Sequence, residues 1–313
     1  MEIENQTQIK HFIIVGFPQY SGLQVPLFLT FLLTYLVTLL GNLLIMAVVY
    51  SDPRLHTPMY FFLTNLSFID ITSTSVTLPK LLTSFMSAGC SISLPACIVQ
   101  MYGLVCMMST EFILLTVMAY DRYVAICNPL RYAIVMNKDA CIKLAAGTWM
   151  AGLLQPIPHT VLVSRLSFCK SHHVNHFFCD ITALLKISCT DTRSIETMTY
   201  VFGVLIVIGT FILIIISYIY IISTILKIQS SERRHKAFST CTSHLAVVII
   251  FSGAICIMYM RPNSKYSENQ DKILSLMYIV VTPLLNPIIY SLKNTEFRKA
   301  FQRVQEQKVR KRI

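Results

Sequence analysis

Long apolar stretches, separated by short polar segments, recur along the whole chain. Each is long enough to cross a membrane, because about 20 helical residues cover the hydrocarbon core. The stretches lie at about residues 26–50, 58–79, 98–120, 141–162, 197–224, 237–260 and 272–292. Residues 1–25 precede them and residues 293–313 form a tail. The pattern predicts an all-α membrane protein, a seven-transmembrane helix bundle whose fourth span is interrupted by Pro156 and Pro158.

Composition agrees with a membrane protein and orients the bundle. The chain is 54% hydrophobic and 13% charged, about half the charged fraction of a typical soluble domain. Lys and Arg are concentrated in the loops after spans one, three and five and in the tail, which predicts that these segments are cytoplasmic and the N-terminus is outside. Attraction to anionic lipid explains the net charge of +11 more simply than nucleic-acid binding. Asn5 begins a glycosylation acceptor that fits the outer side.

Two acidic residues within the apolar stretches predict a polar site near mid-membrane. Counted from the cytoplasmic ends of their helices, Asp70 lies about 18 Å and Glu111 about 16 Å into the membrane. A charge at this depth costs about 2.5–3.5 kcal/mol, so the two acids need a shared cation or bound protons. We expect a sodium or proton site that Asn42 and Asn286 can also reach. The alternative is a set of separate polar residues that hold helices together.

The third span ends in an adjacent acid and base. Asp121 and Arg122 lie where the helix leaves the lipid. Pro129 has no amide hydrogen and disfavours helix in the preceding residue, so the helix should end near Asn128. An interfacial anchor explains the charges, but it does not explain why an acid and a base are neighbours.

The cysteines divide between the two sides of the membrane. Five lie on the predicted outer side, where disulfides persist: Cys90, Cys97, Cys169, Cys179 and Cys189. An odd number leaves at least one unpaired within the chain, and these residues alone do not fix the pairing. Zinc or copper binding by the nearby His172, His173 and His176 is a minor alternative to oxidised cysteines and solvated histidines.

The tail predicts a short amphipathic helix on the inner leaflet. Its apolar residues recur at helical spacing among basic ones: Phe297, Phe301 and Val304 with Arg298, Lys299 and Arg303. The apolar side would face the lipid, and the basic side chains would meet the anionic headgroups.

Four long motifs, in this order, identify a family. They are LHTPMYFFLTNLSFID at residues 55–70, MAYDRYVAICNPLRY at 118–132, KAFSTCTSHL at 236–245 and PLLNPIIYSLKN at 283–294. Over essentially its whole length the chain resembles the larger, tetrapod-type class of vertebrate olfactory (odorant) receptors, which are rhodopsin-like G-protein-coupled receptors. The resemblance implies a plasma-membrane receptor of olfactory cilia that binds small, mostly neutral volatile odorants. Activation would couple to a stimulatory G protein and raise cyclic AMP.

The resemblance also implies roles for individual residues. The implied disulfides are Cys97–Cys179 and Cys169–Cys189, which would leave Cys90 unpaired. The polar residues in mid-membrane would form the sodium or proton site, the one cofactor that is implied. An inner-face switch would hold Arg122 near Asp121 at rest and release it toward the G protein. The other residues of this switch would be Tyr123, Tyr218 and Tyr290.

By the same analogy, the odorant pocket lies in the outer halves of spans three, five, six and seven. The implied lining is apolar, with a few hydroxyl or thiol groups and no charged group: Met101, Leu104, Val105, Met108, Ser109, Phe202, Ile206, Ser252, Cys256, Tyr259 and Ile279. Such a lining suits a neutral ligand that is held by shape and one or two hydrogen bonds. Where many family members read Phe-Tyr-Gly in span six, this chain reads Phe251-Ser252-Gly253, which predicts a wider pocket or a different trigger.

Other function classes fit the sequence less well. A transporter would be expected to show an internal repeat, and none is detectable. A retinal protein would need a lysine within span seven, but Lys272 and Lys293 lie only at its predicted ends. No metalloprotease, hydrolase or nucleotide-binding motif indicates an enzyme. A chemosensory receptor outside olfaction, for a small hydrophobic metabolite, stays as the alternative.

Overall fold

The computed structural model describes residues 11–17, 22–87, 89–259, 268–292 and 294–310. These residues form a bundle of long helices with a small sheet at one end, so the predicted fold class is confirmed. We call the end with the sheet the upper end, and the end with the tail helix the lower end. Asn5, the predicted glycosylation site, lies outside the described residues.

Seven spans make up the bundle. Span one is Gln24–Ser51, span two is Pro58–Met86, span three is Leu94–Cys127 and span six is Ser231–Tyr259. Span four consists of Lys138–Leu154 and Ile157–Ser164. Span five consists of Arg193–Gly203, the π-helical Val204–Ile208 and Gly209–Leu226. Span seven consists of Glu268–Leu276, the π-helical Met277–Val281, Thr282–Pro287 and the π-helical Ile288–Leu292. Shorter helical segments are Pro53–Leu55, Pro129–Arg131, Tyr132–Val135 and Ile181–Ile187, and the tail helix is Thr295–Arg310.

Local sequence explains several of these boundaries. Span two begins at Pro58, whose missing amide hydrogen would have no partner in the first helical turn. Span three begins after Ser93, whose side-chain oxygen accepts a hydrogen bond from the amide of Ala96. It ends at Cys127, and Asn128 is the capping residue. Pro129 therefore ends the helix where the sequence predicted.

The surface of the bundle is apolar where lipid would contact it. By length and composition, four described stretches can cross a membrane by themselves: Gln24–Ser51, Leu94–Cys127, Arg193–Leu226 and Asn269–Tyr290. Leu33 in span one and Leu213 in span five are 64% and 55% exposed. Exposing large apolar side chains in this way would cost free energy in water, whereas contact with the hydrocarbon of a membrane avoids that cost.

Span three lies at the centre of the bundle and carries many of the predicted site residues. It packs against spans two, four and five. The contact with span four is close, because a Cβ atom added at Gly152 would lie 1.9 Å from Thr110 Oγ1 and 3.0 Å from the Thr110 amide nitrogen. Only a residue without a side chain fits at this crossing.

A three-stranded sheet covers the upper end, and the sequence pattern did not predict it. The strand β1 (His11–Ile14) lies in the middle, antiparallel to β2 (Cys90–Ser93) and parallel to β3 (His173–Val174). Phe12 and Ile14 are fully buried beneath it. The segment before span one is thus held against the long loop between spans four and five.

Two disulfides fasten the same loop. Cys97, in the first turns of span three, is bonded to Cys179, and Cys169 is bonded to Cys189, with Cα–Cα distances of 5.4 and 5.9 Å. These are the two pairings that the resemblance implied. Cys90 is a free thiol at the sheet and is buried.

The tail helix packs against the protein as well as presenting basic residues. Phe297 and Val304 are 3% and 9% exposed, so much of the apolar face that was expected to meet lipid contacts the lower end of the bundle. Arg303 donates from Nε and Nη2 to Asp52 Oδ2, at 2.9 and 2.6 Å. These hydrogen bonds and the Arg303 charge outweigh the effect of burial and lower the pKa of Asp52.

Candidate functional site

Two cavities lie in the upper half of the bundle, on either side of span three. The inner cavity, about 470 Å³, is bounded by spans two, three, six and seven and the long loop. The side cavity, about 710 Å³, is bounded by spans three, four, five and six. Met101, Val105 and Met108 of span three line both. The long loop supplies the roof, since Ile181 also lines both cavities.

Most of the implied pocket residues lie at these cavities. Leu104 and Ile279 line the inner cavity, whereas Ser109, Phe202 and Ile206 line the side cavity. Ser252 and Cys256 line neither cavity. The side chain of Tyr259 lies outside the described part of the chain. Span six contributes two other residues, Phe251 and Ile255.

Span four and the long loop supply lining residues that the sequence reasoning missed. Gln155, Pro156, His159 and Thr160 line the side cavity, and Phe178 and Asp180 line the inner cavity. The prolines that interrupt span four were the available signal, because the break at Pro156 lies at the wall of the side cavity. The inner cavity also reaches Glu111, so the expectation of a lining without charged groups does not hold there.

Gln100 positions the long loop over the cavities. Its side-chain oxygen accepts a hydrogen bond from the amide of Cys179 at 3.0 Å, and its Nε2 donates to the Val76 carbonyl at 2.8 Å. Together with the Cys97–Cys179 disulfide, these bonds tie the loop to spans two and three. The roof is therefore fixed at the point nearest the cavities.

The polar residues of mid-membrane are buried below the inner cavity. Asn286 Nδ2 donates to both carboxylate oxygens of Asp70, at 3.2 and 2.9 Å. Glu111 is 3% exposed and interacts electrostatically with Asp70. Asn42 does not bond to either acid, since its amide donates to the carbonyls of Thr38 and Pro283. The structure thus brings Asp70, Glu111 and Asn286 together and gives Asn42 a role in joining spans one and seven.

The donor atoms at this place fit a small hard cation or a proton. Among the described residues, several buried oxygens have no hydrogen-bond partner: Thr38 Oγ1, Asn42 Oδ1, Ser67 Oγ, Glu111 Oε1, Asn286 Oδ1 and the Tyr290 hydroxyl. Buried polar atoms without partners are costly, and carboxylate, amide and hydroxyl oxygens are the ligands that hard cations prefer. A sodium ion held by Asp70, Glu111 and Asn286 would neutralise charge and give Glu111 Oε1 and Asn286 Oδ1 a partner. A proton shared by the two acids would reduce their repulsion.

At the lower end, Arg122 is held by its neighbour. Asp121 is 1% exposed and accepts hydrogen bonds from Arg122 Nε at 3.1 Å and from Arg122 Nη2. The Tyr132 hydroxyl donates to the other carboxylate oxygen at 2.8 Å. Both carboxylate oxygens of Asp121 therefore accept hydrogen bonds, and the guanidinium of Arg122 is held beside them.

The tyrosines of the implied switch occupy different places. Tyr290 is buried beside the lower cavity that also contains Arg122, a space of about 1990 Å³. Tyr218 is buried too, but its hydroxyl is 2.8 Å from Nδ1 of His244 and 3.4 Å from the Cys241 carbonyl. Tyr123 stacks edge-on with Tyr220 of span five at 5.9 Å.

His244 is a residue of this region that the sequence reasoning did not single out. It lies within the KAFSTCTSHL motif of span six, is 2% exposed and lines the lower cavity. Its contact with Tyr218 joins spans five and six next to Arg122. Its position inside a long family motif was the signal that could have identified it.

The histidines of the long loop do not form a metal site in the described residues. No group of three or more His, Cys, Asp or Glu side chains in that part of the chain is placed to hold an ion. Cys169 and Cys179 are both in disulfides. His173 is exposed, whereas His176 is buried against Phe177 and Phe178, so the expectation that all three are solvated is corrected.

Comparison with known proteins agrees with this arrangement. Residues 31–308 match the family model described as olfactory receptor. The human olfactory receptor 13C9 is 47% identical over 306 residues, covering 96% of both chains. The human olfactory receptor 2K2 is 47% identical over 304 residues, covering 97% of this chain and 96% of the relative. The olfactory receptor-like protein OLF1 of Canis lupus familiaris is 45% identical over 305 residues, covering 97% and 98%.

These similarities extend over nearly the whole of each chain. The chain therefore belongs to the olfactory receptor family: it is a G-protein-coupled receptor, not an enzyme.

Proposed function

We propose that this receptor binds small, mostly neutral volatile odorants in the cavities of the upper half and activates a stimulatory G protein, which raises cyclic AMP. The observation that carries the proposal is the pair of cavities on span three, lined mainly by apolar side chains, above a lower cavity that contains Arg122. One helix thus connects a site for a small molecule with a site that opens at the other end of the bundle.

The lining supports a neutral ligand in the side cavity. Met101, Val105, Phe202 and Ile206 form much of its wall, and no Asp or Glu is among its described lining residues. A charged ligand would lose its hydration there without gaining a counter-charge. A small apolar molecule with one polar group would bury its hydrocarbon part against this wall.

The lower end supports coupling to a G protein. Ser109 in the side cavity and Arg122 are 13 residues apart on span three, about 20 Å at helical rise. Ligand contacts that shift this helix against spans five and six would disturb the Asp121–Arg122 pair. Arg122, once released, would face the lower cavity and could contact the G protein.

The polar site below the inner cavity is part of the same proposal. A sodium ion or a proton bound at Asp70 and Glu111 would hold spans two, three and seven together at rest. Because Glu111 also lines the inner cavity, a ligand there would be adjacent to this site. The lower end would face the cytoplasm of the sensory cilium, where its basic residues meet anionic lipid.

The test is an odorant-panel screen with a cyclic AMP readout in cells that express the chain. In responding cells, Arg122→Ala should abolish the odorant-evoked rise while surface expression is retained. Lys143→Ala removes a basic side chain that is 74% exposed at the lower end of span four, and it should respond as the unmodified receptor does. Unchanged signalling by Arg122→Ala would refute the switch. A calcium response without any cyclic AMP change would refute the stimulatory G protein.

A further inference from the structure

Among the described residues that line the side cavity, one buried polar atom has no hydrogen-bond partner, and it belongs to His159. His159 lines the cavity from span four and is 5% exposed. Its ring lies edge-on to Phe202 of span five, with 5.4 Å between the ring centroids. Its Nδ1 atom is buried and has no hydrogen-bond partner.

The hydroxyl groups that line this cavity already donate hydrogen bonds to the protein. The Ser109 hydroxyl donates to Gln155 Oε1 at 2.8 Å. The hydroxyls of Thr160 and Thr199 donate to backbone carbonyls one helical turn earlier, at 2.9 and 2.8 Å. Among the described side chains that line the side cavity, His159 Nδ1 is therefore the buried polar atom that lacks a partner.

The environment of the ring assigns a role to that nitrogen. The backbone of Met198 favours a proton on the ring nitrogen that faces it, and because Nδ1 has no hydrogen-bond partner, that proton is assigned to Nε2. A neutral imidazole that donates from one nitrogen accepts at the other. With no described acid in the lining to stabilise a charged ring, the neutral form is the one this apolar wall favours. His159 Nδ1 is then an acceptor beside the space for a ligand.

We infer that the side cavity selects ligands that carry a hydroxyl group, such as alcohols and phenols, and that His159 Nδ1 accepts their hydrogen bond. This inference rests on the proposed function, because it specifies the ligand class of the same receptor. The hydrocarbon part of the ligand lies against Met101, Val105 and Phe202. An ether, ester or hydrocarbon of the same shape fills the space but leaves Nδ1 unpaired. Discrimination against such molecules is strong, because a buried group without its partner loses the whole hydrogen bond.

The experiment compares matched ligand pairs on matched receptor variants. The probes are 1-octanol, 4-ethylphenol and the O-methyl ether of each. The variants are His159→Phe, which keeps the ring against Phe202 but removes the acceptor, and His159→Asn, whose side-chain oxygen restores an acceptor near the Nδ1 position. Two readouts are taken: cyclic AMP in cells, and the thermal stabilisation of purified receptor by each probe.

We expect the alcohols and phenol to act on the unmodified receptor with about tenfold to hundredfold greater potency than their ethers. His159→Phe should abolish this difference by weakening the hydroxyl compounds while leaving the ethers unchanged. His159→Asn should recover part of it. A purely structural role of His159 would instead lower the response to every probe by the same factor, and that result would overturn the inference.

The two readouts separate this inference from the proposed function. Hydroxyl-selective stabilisation of the purified receptor without any cyclic AMP response would support the His159 site and refute the signalling assignment. Responses in which ethers equal or exceed the alcohols, in either readout, would overturn the His159 site and leave odorant reception intact. Failure of every probe to stabilise the receptor would also overturn the inference.

Discussion

At the scale of single residues, buried oxygens determine what the centre of this receptor can hold. Asp70 accepts two hydrogen bonds from Asn286, while Glu111 has a buried oxygen without a partner. Two buried carboxylates that interact electrostatically repel each other unless a cation or a proton offsets their charge. If a sodium ion or a proton binds here as we propose, the centre should respond to sodium concentration and to pH, and either would change the contacts between spans two, three and seven.

Glu111→Gln tests this centre. The amide keeps the size of the side chain but cannot carry the negative charge, so the variant should lose the dependence of odorant potency on sodium concentration and on pH. Potency is measured in sodium-containing and sodium-free medium. Glu306→Gln, the same change at an exposed position of the tail helix, is the control. Equal sodium dependence in the unmodified receptor and Glu111→Gln would contradict the shared site.

His176 makes the stability of the long loop, the roof of the cavities, depend on pH. It is 2% exposed, and burial lowers its pKa from 6.5 to about 4; Asp180 opposes this shift, whereas Lys272 and Lys186 add to it. The His176 ring is therefore neutral in the folded loop. Its contribution to stability is complete above pH 6.5 and is lost as the pH falls toward about 4, because only the unfolded loop takes up a proton in that range.

We therefore expect acidification from pH 7 to pH 4.5 to increase hydrogen exchange in residues 172–180. The loss of loop stability should reach up to about 3 kcal/mol. His176→Gln should remove most of this pH dependence. His173→Gln, at an exposed neighbour, should retain it. A pH profile of His176→Gln that matches the unmodified receptor would show that another group is responsible.

At the scale of elements, the crossing of spans three and four determines the width of the side cavity. Gly152 contacts Thr110 so closely that a methyl group would lie 1.9 Å from its Oγ1 and 2.9 Å from its Cβ. Ser109, the next residue, bonds to Gln155 across the same crossing. Thr110, which packs against span four, is thus adjacent in the chain to Ser109, which lines the side cavity.

Gly152→Ala should separate the two spans. Overpacking of this kind costs about 1–3 kcal/mol, so we expect a lower melting temperature of the purified receptor and weaker odorant responses. The matched control is Gly147→Ala in the same helix, where an added Cβ meets no atom within 4 Å. That variant should be neutral or slightly stabilising, because alanine favours helix. Equal effects of the two substitutions would indicate a propensity effect rather than a close contact.

At the scale of the whole molecule, one lysine joins three separate parts of the upper end. Lys272 of span seven is fully buried, and its Nζ donates to the Gly16 carbonyl at 2.6 Å and to Asn175 Oδ1 at 2.7 Å. Phe17 lies under the ammonium group at 5.6 Å and stacks with Phe177 of the loop. The N-terminal strand, the roof and span seven therefore share one hydrogen-bonded centre.

Lys272→Met should loosen that centre while keeping the length of the side chain. The Gly16 carbonyl and the Asn175 amide oxygen would lose charge-assisted hydrogen bonds, at a cost of about 1–3 kcal/mol. We expect faster hydrogen exchange at His11–Ile14 and at residues 172–176. Lys170→Met, on an exposed part of the same loop, is the control. Unaltered protection of β1 in Lys272→Met would show that the strand is held by sheet pairing alone.

Sequence reasoning identified the helical bundle and many of the residues that line its cavities. It could do so because lipid requires long apolar helices, and because an acid inside such a helix stands out against its neighbours. It was less successful at the cavity wall. Span four was overlooked as a lining element, since Gln155 and His159 lie in an otherwise apolar stretch without a distinct polar face, whose inward side is not visible in the pattern.

The sequence by itself determined the number and order of the spans and the depth of Asp70 and Glu111, because these depend on hydropathy and on rise per residue along one helix. Only the tertiary structure decided what meets across helices. It put His159 at the side cavity, where its Nδ1 has no partner, and it put His244 beside Tyr218. It also put Lys272 against the N-terminal segment, whose short apolar run did not predict a strand in a sheet. The physical reason is that such contacts join residues far apart in the chain, and neither periodicity nor composition records which faces pack together.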